Sequence, residues 1–472
     1  MGCRVSSAIG TAEQPLRVAI IGSGPAGFYA AGQLLSHKEV EVEVEMFDRL
    51  PTPWGLVRAG VAPDHPKIKA VTRVYEKTAK LPGFRFHGNV EVGLHVSHEE
   101  LAAHHHAVLY AVGSPTDRRL GIPGEDLPGS YPATAFVAWY NGHPDYRDAE
   151  FDLSGERAVV IGNGNVALDV ARMLALTTAE LEPTDIADHA LESLAESRIR
   201  EIVVLGRRGP AQAAYTNPEL RELGELEDAD IVVDPDEVVL DPASAAFLES
   251  ESANVTARRN VEIVQGYAQK PLAGKPKRIV LRFLASPVEI VGSGGVEGVR
   301  VVHNELEATE GGYLAARPTE RTETIEADIV LRSVGYRGAP LPGVPFDERR
   351  GTIHNTGGRV TDPETGEQLH GTYTAGWIKR GPSGVIGTNK KDAQETVDHL
   401  LDDMRAGLLP EPAGDEESLI ELIRERRPEV VDYDAWSLID EHERSLGEPA
   451  GRPRVKLTRL QEMLDVVAPQ RR

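Results

Sequence analysis

The sequence predicts an α/β fold in which one phosphate-binding unit is built twice, and three observations carry that prediction. An apolar strand at residues 16–21 runs straight into Gly22-Ser-Gly24-Pro25-Ala26-Gly27. A second, at residues 158–161, runs into Gly162-Asn163-Gly164-Asn165-Val166-Ala167, and each turn opens a helix of small and aliphatic residues. In this arrangement the first glycine permits a tight turn and the second lets backbone approach a pyrophosphate. The third small residue lets the helix pack on the strand, and the helix N-terminus turns unpaired N–H groups toward phosphate. Two such units in 472 residues point to two dinucleotide-binding, Rossmann-like domains.

The first unit is completed by a strand at residues 40–47 that ends at Asp48, 21 residues beyond Gly27, where a carboxylate can accept both hydroxyls of an adenine ribose. The stretch Leu50-Pro-Thr-Pro-Trp54-Gly55-Leu56-Val-Arg58 and its continuation Ala62-Pro-Asp-His65-Pro are too rich in proline and glycine for a helix or a central strand. They predict an ordered loop over a ligand.

Residues 67–80 read as a helix whose five cations, Lys67, Lys69, Arg73, Lys77 and Lys80, are offset only by Glu76. In a chain of net charge -23 such a local basic face suits docking of an acidic partner. Residues 84–93 suggest a pair of strands, and residues 107–111 a strand closing the first segment at Gly113. The run His104-His105-His106 does not read as a metal site, because adjacent side chains diverge and no second cluster of ligands completes it.

In the second unit a helical, acidic insertion at residues 178–197 precedes the strand at 201–205. That strand ends in Gly206-Arg207-Arg208-Gly209 where an NAD-binding unit would carry an acid. A guanidinium pair binds a 2′-phosphate that a carboxylate would repel, so NADP is preferred over NAD. Residues 230–334 read as antiparallel strands, among them 261–264, 278–284, 296–302 and 325–330. The chain is then expected to cross back to the first domain near Gly335. Residues 372–391 lead from a strand through Gly376-Trp377 and Gly384-Val385-Ile386 into a helix whose N-terminus could stabilise an anionic ring.

Bulk properties narrow the class. The negative charge argues against nucleic acid as a partner, and no stretch approaches the ~20 apolar residues of a membrane span. The first 15 residues carry one Arg, no long apolar core and no convincing secretory cleavage site, so the expected location is cytoplasmic. A disordered leader is expected at residues 1–15. Cys3 is the single cysteine, which excludes both a redox-active disulfide and an iron–sulfur cluster. Electrons entering this protein leave from another cofactor.

With both glycine turns, the Trp54-to-His65 loop, the Arg207-Arg208 turn and the Gly376-Trp377 segment in hand, the sequence resembles the bacterial adrenodoxin reductase-type ferredoxin–NADP⁺ reductases. The resemblance implies a glutathione reductase-like flavoprotein with a discontinuous FAD domain, residues 16–115 and 335–472, around an NADP domain, residues 116–334. It implies FAD contacts at Pro25, Ala26, Asp48, Leu56, Val90, Trp377, Gly384, Val385 and Ile386. The implied NADP contacts are Asn163, Gly164, Asn165, Val166, Arg207, Arg208, Glu219 and Gly384. His65 and Glu222 match the family's polar pair near the flavin, and Trp377 stands where the wider superfamily has an aspartate. The expected reaction is hydride transfer from NADPH to FAD, then single-electron transfer to a separate ferredoxin docked at Lys67, Lys69, Arg73 and Lys77. The competing expectations are an NADPH-dependent quinone or dye reductase, a flavin monooxygenase, or a non-enzymatic nucleotide-binding module.

Overall fold

A computed structural model of the protein describes residues 9–250, 254–310 and 313–471. It divides into two compact units: residues up to Val61 with His65–Thr116 and Tyr336–Arg472, and Ala62–Asp64 with Asp117–Gly335.

The first unit is built on a seven-stranded sheet in the spatial order Asn355–Thr356, Arg359–Thr361, Gln368–Thr374, Ala107–Tyr110, Leu16–Ile21, Val42–Phe47, Phe84–His87. From Gln368–Thr374 to Phe84–His87 every pairing is parallel; the two short strands beyond it are antiparallel. Alternation along Leu16–Ile21 supplies both cores. Leu16, Val18 and Ile20 face the helix Pro25–Leu35, and Ala19 and Ile21 face Phe47, Val108 and Tyr110 on the other side. Each large aliphatic side chain so buried contributes about 1.5–3 kcal/mol. The helices Glu416–Arg426, Tyr433–Gly447 and Leu460–Val467 add Leu419, Ile423, Trp436, Ile439 and Met463 to these cores.

The second unit has a six-stranded, wholly parallel sheet ordered Ser130–Pro132, Ile329–Arg332, Arg157–Ile161, Glu201–Leu205, Lys277–Arg282, Ala229–Val233. A separate antiparallel sheet joins Ala285–Val291, Gly298–Ala308 and Leu314–Glu326.

Several expectations are corrected. Residues 261–264 belong to the 15-residue helix Val255–Gln269, capped by Asn254, whose side chain accepts from Ala257 N. Its buried Ala257, Asn260, Val261 and Val264 recur at helical spacing, which overrides the β-propensity of the short Val-Glu-Ile-Val run. Of the strands expected to be antiparallel, Lys277–Arg282 and Ile329–Arg332 lie in the parallel sheet. The helix expected at 67–80 is two short helices, Pro66–Lys69 and Thr72–Thr78, and the pair expected at 84–93 is the one strand Phe84–His87. The leader expected to be disordered to residue 15 lies outside the described residues as far as residue 8. Beyond that, Gly10 donates to Gln14 O and accepts from Glu41 N, forming an ordered turn. No helix among the described residues is long and apolar enough to cross a membrane.

Candidate active site

In the first unit the strand Leu16–Ile21 is the switch point of the sheet, because its two neighbours are entered by connections running in opposite directions. Ligands of open α/β sheets bind at the carboxyl ends of strands at such a point. Gly22 sits there at φ +102°, and a Cβ on it would stand 2.6 Å from Ala111 O, just past the neighbouring strand. Gly27 is confined on the other side of the turn, since a Cβ there would lie 2.1 Å from Gly22 O. Gly24 is the opposite case: nothing stands within 4 Å of the position a Cβ would take, and no side chain caps the helix that Pro25 and Ala26 begin. The turn is closed where it must pack and open where a phosphate would approach.

Asp48 is bonded back to this turn. Its Oδ2 accepts from Ser23 N at 3.0 Å and Ser23 Oγ at 2.5 Å, and its Oδ1 accepts from Leu50 N at 2.9 Å. Burial pushes its carboxyl up from the usual carboxylate range, against those hydrogen bonds. Val90 is buried, and its N–H donates to Asp48 O at 2.9 Å. Leu56 begins a one-turn helix after the Trp54–Gly55 turn and is partly exposed. From the far end of the chain, Gly376 comes up against the same helix N-terminus, where a Cβ would meet Ala26 Cβ at 2.6 Å; its N–H is held by the Asp392 carboxylate. Trp377 follows, tilted against Tyr336 with ring centroids 5.2 Å apart. Gly384, at φ +78°, and Val385 lead into the helix Ile386–Arg405, and Thr388 Oγ1 accepts from Val385 N.

The second unit repeats the device. Gly162 has φ +146°, and a Cβ would stand 2.1 Å from Ser333 O, just past the strand Ile329–Arg332. Gly164 is open, with Ala214 Cβ the nearest atom at 4.0 Å, and the helix Asn165–Ala175, in whose first turn Val166 lies, has no side-chain cap. Asn163 and Asn165 tie the turn to the next loop: Asn163 O accepts from Ala214 N, and Asn165 Oδ1 from Thr216 N, each at 2.8 Å. Arg207 is exposed and Arg208 half-buried over the Tyr313 ring at 4.9 Å, with Nη2 on Gln212 O. Burial lowers the pKa of Arg208, with the neighbouring Arg207 charge acting in the same direction and Tyr313 against it.

Comparison with known proteins decides the family. The pyridine nucleotide-disulphide oxidoreductase family matches residues 16–205. The NADPH-ferredoxin reductase FprA of Mycobacterium leprae is 50% identical over 457 residues, 95% of this chain and 98% of its own. The mitochondrial NADPH:adrenodoxin oxidoreductase of Arabidopsis thaliana is 39% identical over 97% of this chain and 96% of its own. The solved structure of Mycobacterium tuberculosis FprA in complex with NADPH superposes with a TM-score of 0.90 at 48% identity, covering 96% of this chain and all of that one. The chain belongs to the adrenodoxin reductase-type NADPH–ferredoxin reductases.

In this reductase the residues at both turns fit a dinucleotide on structural grounds of their own. Each turn leaves its middle glycine clear, and in the first unit the buried indole Nε1 atoms of Trp54 and Trp377 have no hydrogen-bond partner in the protein. His65 stands at the N-terminal boundary of the Pro66–Lys69 helix, without a side-chain cap there, and is buried. Glu219 and Glu222 lie on the helix Asn217–Leu223, the first buried and the second with a 38% exposed side chain.

Sequence reasoning missed the residue that organises these acids. Arg172, one turn beyond the GxGxxA turn, is buried with Nε on Asp64 Oδ2 at 2.7 Å and Nη2 on Asp64 Oδ1 at 3.0 Å and Asp169 Oδ1 at 2.9 Å. Its Nη1 lies 3.6 Å from both Glu219 and Glu222. Burial acts against its charge, but Asp169 and Asp64 outweigh it and hold the guanidinium ionised. The only sequence signal was an Asp169–Arg172 pair at i,i+3 on a helix whose other residues beyond Asn165 are apolar. The histidine run diverges as expected: His104 bonds Glu100 O and Ser418, His105 bonds Leu101 O and faces Glu45, and His106 accepts from Arg17 N.

Proposed function

We propose that this chain takes a hydride from NADPH onto FAD and passes the electrons singly to a separate ferredoxin. The observation that carries the reading is the repeated turn, closed at Gly22 and Gly162 and open at Gly24 and Gly164, in one chain whose relatives are named for NADPH and ferredoxin. FAD, when bound, accepts a hydride and releases electrons one at a time. We assign it to residues 16–115 and 335–472, with Asp48 on the ribose, the N–H groups after Gly24 on the pyrophosphate, and Leu56, Val90, Trp377 and Gly384 to Ile386 around the rest. NADPH is assigned to residues 116–334, with Asn163 to Val166 on its pyrophosphate and Arg207 and Arg208 on its 2′-phosphate.

His65 and Glu222 each order solvent, protons or the cofactor rather than break bonds; hydride transfer itself needs no general acid–base catalyst. Trp377 shields the flavin and competes with nicotinamide for stacking. The ferredoxin docks on Lys67, Lys69, Arg73 and Lys77, a reading supported by the exposure of Lys67, Arg73 and Lys77 beside the exposed Ile68 and Val74.

Anaerobic titration of the purified protein tests the proposal. NADPH bleaches the flavin band at far lower concentration than NADH, and oxidised ferredoxin restores it. A colourless protein, or a yellow one that NADPH cannot reduce, overturns the reading. Bleaching that a small quinone reverses and ferredoxin does not makes the chain a quinone or dye reductase instead.

A further inference from the structure

The first unit holds a strained turn against its glycine loop, and the groups that hold it come from the far end of the chain. Trp54 adopts φ +84° and Gly55 φ +50°, two successive residues in left-handed backbone. For tryptophan this conformation is an outlier that costs on the order of 1–3 kcal/mol and persists only where its surroundings over-determine it. The turn presses on the phosphate loop: Trp54 N–H donates to Ser23 O at 2.9 Å, and a Cβ on Gly55 would stand 3.0 Å from Gly24 Cα.

What fixes Trp54 is the C-terminal segment. Its ring packs edge-to-face on Trp436 at 5.1 Å and under the Arg454 guanidinium at 5.6 Å, while Arg58, four residues on, lies over Trp436 at 5.5 Å. The two guanidinium groups meet on one carboxylate. Glu443, whose side chain is wholly buried, receives Arg58 Nη1 at 2.8 Å and Nη2 at 2.5 Å, Arg454 Nη1 at 3.2 Å and Leu457 N at 2.9 Å. Lys456 closes the arrangement by donating to Arg58 O at 3.1 Å.

We propose that Glu443 is a positioning residue for the flavin site: through Arg58 and Arg454 it clamps Trp54, and through Trp54 it sets the Gly55 turn on the Ser23–Gly24 loop that receives the FAD pyrophosphate. The inference rests on the assignment of FAD to that loop. Glu443 touches no cofactor in this scheme; it fixes the wall that does.

The test uses the flavin-loaded full chain and reads flavin release by recovery of free-flavin fluorescence, together with the visible circular dichroism of the bound flavin. Glu443→Gln keeps the size and some hydrogen bonding but removes the charge that joins two cations, and it is expected to speed release about tenfold or more and to alter the dichroism. Asp440→Asn serves as the comparison. It removes the other carboxylate on Arg454, 2.5 Å away, but leaves Glu443 joining Arg58 to Arg454, so it is expected to speed release clearly less than Glu443→Gln does. Arg58→Lys keeps the buried charge pair with fewer bonds and is expected to give an intermediate rate, which tests the clamp even where Glu443→Gln does not fold. Release at the wild-type rate in both Glu443→Gln and Arg58→Lys overturns the proposal, as does equally fast release from Asp440→Asn. A wild-type protein that holds no flavin overturns the FAD assignment itself, a result distinct from either.

Discussion

Arg172 grips Asp64 with a two-pronged hydrogen bond, Nε to Oδ2 and Nη2 to Oδ1, and so holds the segment Ala62–Asp64 to the helix that follows the second glycine turn. One buried cation serves four carboxylates here, Asp64, Asp169, Glu219 and Glu222. Removing it leaves like charges facing one another. Arg172→Leu is expected to destabilise the protein by about 3–5 kcal/mol, and Arg172→Lys, which keeps the charge and loses the fork, by less than half of that. Chemical denaturation checks both; a loss below about 1 kcal/mol for Arg172→Leu would show the cluster to be surface-like.

His65→Gln and Glu222→Gln are each expected to slow NADPH-driven flavin reduction by less than about tenfold, below the usual general acid–base contribution. Stopped-flow reduction measures this, and a hundredfold loss in either would make that residue a participant in proton transfer. Trp377→Ala, in the same assay, is expected to narrow the preference for NADPH over NADH; unchanged preference and unchanged reduction would remove its stacking role.

Arg207→Ala and Arg208→Ala are each expected to raise the Michaelis constant for NADPH by about ten- to a hundredfold, the worth of a charge-assisted hydrogen bond to phosphate, and to leave that for NADH unchanged. Equal effects on the two nucleotides would move the 2′-phosphate site elsewhere.

Neutralising Lys67, Lys69, Arg73 and Lys77 together is expected to raise the Michaelis constant for ferredoxin and leave that for a small quinone as it is. The ferredoxin value of the wild type should also climb with salt across roughly the 0.05–0.5 M range, where the Debye length shortens from about 14 Å to about 4 Å. A salt-independent constant would place docking on another face.

Acid stability follows from His106. Its Nδ1 accepts from Arg17 N, and burial with the Arg17 charge lowers its pKa to about 4, against about 6.5 in the unfolded chain. Between those values the unfolded chain binds a proton that the fold does not, so stability falls as pH drops from about 6.5 and this group's share is gone near 4. That share is on the order of 1–3 kcal/mol. His189, which bonds Trp139 O, is also lowered to about 4 and acts in the same direction. Denaturation curves between pH 7 and 4 test this, and His106→Gln is expected to flatten them; an unaltered slope would exclude His106 as the source.

The two glycine turns were legible because their constraint is local. A Cβ at Gly22, Gly27 or Gly162 would stand within 3 Å of a backbone oxygen, so the chain must write glycine there. The place of Arg207 and Arg208 in the fold was legible for a similar reason, one glycine beyond the strand Glu201–Leu205. What stayed hidden depends on partners distant in sequence. Arg172 reads as one more charge on a helix until Asp64, 108 residues earlier, is brought to it, and Glu443 lies 385 residues from Arg58. The helix Val255–Gln269 was misread because four β-branched or acidic residues were weighed alone, whereas its buried face spans two turns.

The strand Ala107–Tyr110 finds its outer neighbour, Gln368–Thr374, only after the whole second unit has been made; Thr374 bonds Tyr110 across 264 residues. During synthesis the second unit can therefore close its own sheet while the first still exposes an unpaired, apolar strand edge. Such an edge is a template for pairing with other chains until it is covered. The Trp54 clamp is completed later again, when Glu443 and Arg454 emerge. On the proposed FAD assignment, flavin capture belongs to the last stage of folding, and a ribosome that stalls before that point leaves the second unit finished and the Gly55 turn without the contacts that fix it.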